Sequence, residues 1–77
     1  MPRVKIPNIP WVVSFYSHDR RERRHVHVRR EKMECKFWIE PMIQLAWNRG
    51  FASHELRAIL GVIEDHILLI HHAYEQS

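Results

Sequence analysis

The first half of the chain alternates hydrophobic and polar residues in a way that predicts a small β-sheet. Residues 25–29 are His-Val-His-Val-Arg, so both histidines are expected on one face of a strand and both valines on the other, core-facing side. Residues 33–40 alternate in the same way, and we expect their inner row to be Met33, Cys35, Phe37 and Ile39. Glu31 and Lys32, between the two strands, are expected to form a hairpin turn.

Other segments before residue 50 give weaker signals. Residues 11–16 are rich in β-branched and aromatic side chains, and we predict that they form a central strand of the sheet. Prolines at positions 2, 7 and 10 leave only residues 3–6 free to form a short edge strand. Residues 42–47 fit either a short strand or a loop with buried anchors, so the structure of residues 41–50 is left open.

A long amphipathic helix is predicted for the second half of the chain. Asn48-Arg49-Gly50 signals a turn, and Ser53 is expected to cap the N-terminus of the helix. Apolar residues then recur at spacings of three and four up to Tyr74, at Leu56, Ile59, Leu60, Ile63, Ile67 and Ile70. Gly61 interrupts this helix, and close packing of the backbone against a neighbour would explain it.

These elements predict a single α+β domain over residues 1–77, in which a small antiparallel meander of three to four strands packs on one long C-terminal helix. A chain of 77 residues is long enough for one hydrophobic core. The additional apolar residues Val62, Leu68 and Leu69 widen the apolar stripe of the helix beyond what such a sheet covers. We therefore expect a homodimer through the C-terminal helix, the alternative being that these side chains are singly exposed.

The expected location is the cytoplasm. Cys35 is the single cysteine and is simplest to interpret as a small buried residue in a reducing compartment. No apolar run approaches the roughly 20 residues of a membrane span, and the first residues lack the apolar segment of a signal peptide.

Charge is segregated along the chain. Residues 18–32 carry seven lysines and arginines against three acidic residues, whereas residues 53–77 carry one arginine against four acidic residues. The cationic segment could bind a polyanion and the acidic segment a basic protein partner. Alternatively, both are only solvated faces.

The cationic segment is the candidate site, because it combines histidines with arginines. Guanidinium groups bind phosphate oxygens in pairs, and an imidazole can move a proton at neutral pH. We expect RNA or another phosphate-bearing ligand to bind here, with Trp38 or Tyr16 stacking on a base. The expected ligand-binding residues are His18, Asp19, Arg20, Arg21, Arg23, Arg24, Arg29, Arg30 and Trp38.

Whether the protein is an enzyme is left open by these residues. In a metal-independent ribonuclease, one of His25 and His27 would deprotonate a ribose 2′-hydroxyl while the other, or His18, protonated the leaving oxygen. Arg24 or Arg29 would stabilise the charged transition state. As a second alternative, His18, Asp19, His25 and His27 could bind a divalent metal. The surrounding arginines oppose cation binding, so we predict no metal and no cofactor.

The order of motifs resembles a family of small bacterial domains of unknown function, DUF4160. Phe-Tyr-Ser at residues 15–17 is followed by Asp-x5-His-Val-His-Val from Asp19, by Phe-Trp-Ile-Glu at 37–40 and by Gly-Phe-x3-Glu-Leu at 50–56. The family's Asp-His-x-Pro-Pro-His-x-His box is matched in part. Asp19, His25 and His27 can be placed, arginines replace both prolines, and His18 precedes the aspartate instead of following it.

The resemblance covers nearly the whole chain and implies a setting in a small two-gene, toxin–antitoxin-like locus, with a cognate small protein as partner. The family has no settled activity, so the resemblance implies a fold more than a function. We therefore expect a toxin–antitoxin-like component that binds RNA or another phosphate ligand. The alternatives are a protein-interaction module and a metal-binding His-x-His protein.

Overall fold

A computed structural model describes residues 3–16 and 22–76 of the chain. Within these residues, four strands form one antiparallel sheet in the order β1-β2-β3-β4, and two consecutive helices follow. This confirms the predicted α+β fold. The strands are β1 (Val12–Ser14), β2 (His25–Arg30), β3 (Met33–Trp38) and β4 (Gln44–Arg49).

The hairpin between β2 and β3 forms as predicted. Arg30 pairs with Met33 across the turn, and Glu31 adopts a positive φ of 56°, which a tight turn of this kind requires. The register then places His27 opposite Lys36, and Val28 opposite Cys35. The segment left open by the sequence forms β4, which pairs with β3.

The prediction that residues 11–16 form a central strand is wrong. β1 is only three residues long and lies at one end of the strand order. The N-terminal segment runs beside it, because the Val4 amide donates to the Val13 carbonyl over 2.9 Å and Arg3 forms an isolated bridge with Ser14.

The predicted long helix is divided in two, α1 (Ser53–Asp65) and α2 (Ile67–Glu75). The interruption lies at His66, whose ring Nδ1 donates to the Val62 carbonyl over 2.8 Å. The helix also begins one position earlier than expected. Ala52 is the N-cap instead of Ser53, and the Glu55 carboxylate accepts a hydrogen bond from the Ala52 amide at 3.2 Å.

One hydrophobic core fills the space between the sheet and the helices. Val26, Val28 and Cys35 from the sheet and Ile70 from α2 are fully buried there, as the alternation of β2 and β3 predicts. Gly61 is not explained by close packing, because a Cβ atom built at this position meets nothing within 4 Å.

The apolar flank of the helices is partly open. Val62 packs against the core, whereas Leu68 and Leu69 of α2 keep 82% and 42% of their surface exposed. Among the described residues, no helix has both the length and the apolar character to cross a membrane.

Candidate functional site

The sheet presents a polar and aromatic surface on the side away from the helices. We call this the outer face; its cross-strand rows follow from the strand register. One row runs from Ser14 through His27 and Lys36 to Trp47. The neighbouring rows contain His25, Trp38 and Gln44 on one side and Val12, Arg29, Glu34 and Arg49 on the other.

His27 lies near the middle of this face and is held by Glu34. The two side chains are joined by a hydrogen bond of 3.1 Å between the ring Nδ1 and Oε2 of the carboxylate. Since the carboxylate can only accept, Nδ1 carries the proton, and neutral His27 keeps a lone pair on Nε2. Burial lowers the pKa of His27 below its ordinary value of 6.5, and Glu34 offsets only part of that change. His27 is therefore a neutral, oriented acceptor at pH 7.

His25 is on the same face but is not open to solvent. Its residue exposure is 2%, and its Nδ1 donates to the Arg23 carbonyl over 3.0 Å. The ring meets those of His27 and Trp38 edge-on, with centroids 5.2 Å and 5.8 Å away. The structure thus brings the two histidines together, as the sequence predicts, but a substrate could reach His27 more easily than His25.

A buried lysine completes the centre of the outer face. Lys36 is 8% exposed, and its ammonium group donates to both carboxylate oxygens of Glu22 at 3.0 and 3.1 Å. The same ammonium lies 4.3 Å from the centre of the Trp38 ring. Because an unpaired buried charge is costly, this ion pair and cation–π contact compensate Lys36 for its lost hydration.

The two tryptophans of the outer face differ in how much of the ring is covered by other side chains. Trp38 is contacted by two cations, since the Arg23 guanidinium lies 4.4 Å from its ring centre in addition to Lys36. Trp47 is more open, at 37% exposure. In the part of the chain that the structure describes, a single cation, Arg49, lies over its ring, 5.5 Å from the centre.

The arginines predicted to form one patch are distributed over both sides of the sheet. Arg23 and Arg29 belong to the outer face. Arg24 turns toward α2, where its guanidinium donates to His71 Nδ1 over 3.0 Å and lies 3.8 Å from the Glu75 carboxylate. Arg30 follows Arg29 directly in β2, so its side chain points to the face of the sheet opposite the outer face. Arg30 is exposed there.

Four of the predicted site residues, His18, Asp19, Arg20 and Arg21, lie outside the described residues. The predicted metal set of His18, Asp19, His25 and His27 therefore falls partly outside them too. In residues 3–16 and 22–76, no group of three or more histidine, cysteine or acidic side chains is placed to hold a metal ion.

The position of β2 is fixed by α2 through one hydroxyl. The Tyr74 hydroxyl donates to the His25 carbonyl over 2.6 Å and accepts from the His25 amide over 2.9 Å. β1 ends at Ser14, opposite His27, so it stops two residues short of His25. Tyr74 thus satisfies the backbone where the neighbouring strand is missing. Burial raises the pKa of Tyr74 above its ordinary value of 10, so the hydroxyl remains a donor further into the alkaline range.

Sequence reasoning missed Glu22, Glu34, Lys36 and Trp47 as residues of the site. Two of them could have been found, because a two-residue turn at Glu31-Lys32 fixes the register that places Glu34 and Lys36 beside His27. Trp47 depends on the pairing of β4, and Glu22 on the path of the chain before β2. Neither follows from local periodicity.

Comparison with known proteins agrees with the motif order in the sequence. A family model described as Domain of unknown function (DUF4160) matches residues 11–75, which is well over half of the chain. Comparisons with curated proteins and with solved structures find no match. The matched region spans β1 to α2 and includes His25, His27 and the outer-face residues that surround them. The chain is a member of the DUF4160 family of domains of unknown function.

Proposed function

We propose that this protein is a cytoplasmic, toxin–antitoxin-like component that binds RNA, or another phosphate-bearing ligand, through the outer face of the sheet. The observation that carries the proposal is the presence of exposed cations beside partly exposed aromatic rings on one side of the sheet. Arg29 and Arg49 flank Glu34 in one cross-strand row, and Trp47 lies two positions before Arg49. The toxin–antitoxin-like setting rests on the family resemblance alone.

The cations supply affinity for phosphate. A guanidinium group presents a planar set of donors that matches phosphate oxygens, and each phosphate contact releases counterions from a nucleic acid. Arg29 and Arg49 are exposed, so their charges are available to a ligand. Lys36 is neutralised by Glu22 and contributes less.

His27 would support binding more directly than catalysis. Its Nε2 is a neutral acceptor oriented by Glu34 and can accept a hydrogen bond from a ribose hydroxyl. Ribonuclease chemistry without a metal requires a general acid as well as a general base. The nearby second imidazole, His25, is buried, so the described residues favour a binding protein over a nuclease.

The test is a salt titration of binding to fluorescently labelled RNA, measured by anisotropy. Arg29→Gln should weaken binding at low salt and reduce the slope of log affinity against log salt concentration by about one. The matched control is Arg57→Gln, which removes an arginine of α1 that is also exposed and should leave the slope unchanged. Equal effects of the two variants, or no RNA binding in low salt, would reject the proposal.

A second candidate function is self-association through α2, favoured by the exposed Leu68 and Leu69. Two copies meeting through these leucines would bury apolar surface that is otherwise hydrated. Light scattering coupled to gel filtration should then give twice the monomer mass, and Leu68→Ser should give the monomer. Because the contact is apolar, the dimer should persist in high salt, unlike the RNA complex. A monomeric wild-type protein would leave α2 available to a cognate partner instead.

A further inference from the structure

Two aromatic rings stand on either side of His27 on the outer face. Tyr16, just after β1, meets the His27 ring edge-on with centroids 4.9 Å apart. Trp47, on β4, meets the same imidazole from the β4 side of the outer face, at a centroid distance of 5.8 Å and an interplanar angle of 61°. The three rings therefore form an aromatic line, with His27 in the middle, that extends from the end of β1 to β4.

Both outer rings of this line are open to solvent. Tyr16 is 46% exposed and Trp47 is 37% exposed, although large aromatic side chains usually bury most of their surface. Within residues 3–16 and 22–76, neither ring is stacked face to face on another ring. No core position explains them, since the packed core lies on the opposite side of the sheet.

We propose that Tyr16 and Trp47 are stacking platforms for the unpaired bases of single-stranded RNA, with His27 between them as an acceptor for a ribose 2′-hydroxyl. The inference rests on the proposed function and names its ligand class. The bases of a duplex are already stacked on one another, so exposed aromatic platforms are useful only for unpaired bases. The 2′-hydroxyl is a donor that DNA lacks.

Charge on the same face fits this ligand. Arg49 lies over the Trp47 ring, 5.5 Å from its centre, and is exposed, so its guanidinium can pair with the phosphate next to a stacked base. Arg29 is in the same cross-strand row as Arg49. The aromatic line and the cationic row thus run side by side across the sheet, as bases and phosphates do along a single strand.

Trp38 is not one of the platforms. Arg23 and Lys36 lie 4.4 Å and 4.3 Å from its ring centre, and the edge of His25 lies against it. A ring with two cations within 4.5 Å has little free surface on which a base could stack. The inference therefore moves the stacking role from Trp38, which the sequence suggested, to Trp47.

The experiment measures the affinity of the full chain for a labelled RNA of mixed sequence, for the same RNA annealed to its complement, and for the matching single-stranded DNA. Wild-type protein should bind the single-stranded RNA most tightly. Trp47→Leu should weaken that binding by roughly 5- to 150-fold, the range expected for loss of one stacked base. The affinity of Trp47→Leu for duplex RNA, which depends on the arginines, should stay within about twofold of the wild-type affinity.

Trp47→Phe is the matched control, because it keeps an aromatic ring of smaller size. It should retain most of the affinity for single-stranded RNA, while circular dichroism shows that both variants are folded. Tyr16→Leu should act like Trp47→Leu, and Tyr16→Phe like wild type. Binding of single-stranded RNA by folded Trp47→Leu at wild-type strength, or equal binding of single and double strands by the wild type, would overturn the inference.

The outcomes separate this inference from the proposed function. If RNA binds with the expected dependence on Arg29 but without dependence on Trp47 or Tyr16, the stacking inference fails and the proposed function stands. If none of the three nucleic acids binds at low salt, both fail. Equal affinity for single-stranded RNA and DNA would overturn the assignment to RNA and the role of His27.

Discussion

Replacing Tyr74 by phenylalanine should lower the free energy of unfolding markedly, although it removes only one oxygen atom. The Tyr74 hydroxyl bonds both the amide and the carbonyl of His25, at 2.9 and 2.6 Å. Tyr74→Phe removes that oxygen but keeps the ring that stacks on Phe15 with centroids 4.2 Å apart. Any loss of stability can then be assigned to the hydroxyl.

The size of the effect follows from the two groups left without their partner. An unsatisfied buried donor or acceptor costs about 1–3 kcal/mol, so two of them should cost about 2–4 kcal/mol after partial relaxation. The total free energy of unfolding of a domain of 77 residues is expected to be about 4–12 kcal/mol. For a domain of this size, a loss of about 1 kcal/mol in the free energy of unfolding lowers Tm by roughly 4–8 °C. We therefore expect Tm to fall by roughly 10–30 °C.

Urea denaturation followed by circular dichroism measures this change, with Tyr16→Phe as the control. Tyr16 is exposed, and its hydroxyl makes no hydrogen bond with any other described residue. Its loss should therefore change the free energy of unfolding by less than about 0.5 kcal/mol. A Tyr74→Phe protein as stable as the Tyr16→Phe control would show that the hydroxyl bridge contributes nothing, and would refute the reasoning.

The pH dependence of the free energy of unfolding provides a second test of the Tyr74 hydroxyl. Burial raises the pKa of Tyr74 above 10, so the phenol of the unfolded chain loses its proton at a lower pH than the folded one. The stability that Tyr74 contributes is complete below pH 10 and declines as pH rises toward the pKa of the folded state. Wild-type protein should therefore lose more stability than Tyr74→Phe above pH 10.

Three further substitutions or treatments have defined outcomes. Gly61→Ala should raise the free energy of unfolding by up to about 1 kcal/mol, because Gly61 is helical and an added Cβ meets no neighbour within 4 Å; destabilisation would contradict the geometry. Burial lowers the pKa of His27 below 6.5, so the imidazole of the unfolded chain takes up a proton before that of the folded chain as pH falls. The free energy of unfolding should therefore decline below pH 6.5. Denaturation curves at pH 7 and pH 5 should show a smaller decline for His27→Gln than for the wild type. Burial raises the pKa of the Cys35 thiol to about 12, so a thiol reagent at pH 8 should label Cys35 only in denaturant, and rapid labelling of the native protein would show that the thiol is accessible.

The parts of the fold that the sequence predicted correctly depend on neighbours in the chain. Alternation in β2 and β3 places Val26 and Val28 in the core, and the short turn between these strands fixes their register. Each feature follows from residues fewer than about ten positions apart. The helical period of the second half is local in the same sense, and α1 and α2 contain the predicted apolar positions.

The features that the sequence did not predict depend on distant residues. The place of β1 at one end of the strand order follows from which strands pair, and local composition carries no information about that. β4 is exposed along most of its length, so its residues need not alternate and give no period. The helix interruption at His66 is an exception, because it is local. The His66 backbone leaves the helical conformation, with φ −118° and ψ 21°, and its ring bonds the Val62 carbonyl four residues earlier, while the apolar pattern continues through it.

The same distinction between near and distant residues applies to the candidate site. The common face of His25 and His27 follows from their spacing, but the burial of His25 depends on neighbours such as Trp38 on the next strand. Likewise, the separation of Arg24 from Arg23 arises because α2 brings His71 and Glu75 to Arg24. A run of like charges in the sequence therefore does not define one surface of the folded protein.

The bridge from Tyr74 to His25 also has a consequence for synthesis on the ribosome. The two residues are 49 positions apart, so every strand of the sheet is made before the hydroxyl that completes the edge of β2. A nascent chain that ends anywhere before residue 74 carries a sheet whose backbone is unsatisfied at His25, and such an edge can pair with other chains. We expect the final structure to form only after the α2 segment has left the exit tunnel, and released fragments that end before residue 74 to be more sensitive to protease than the full chain.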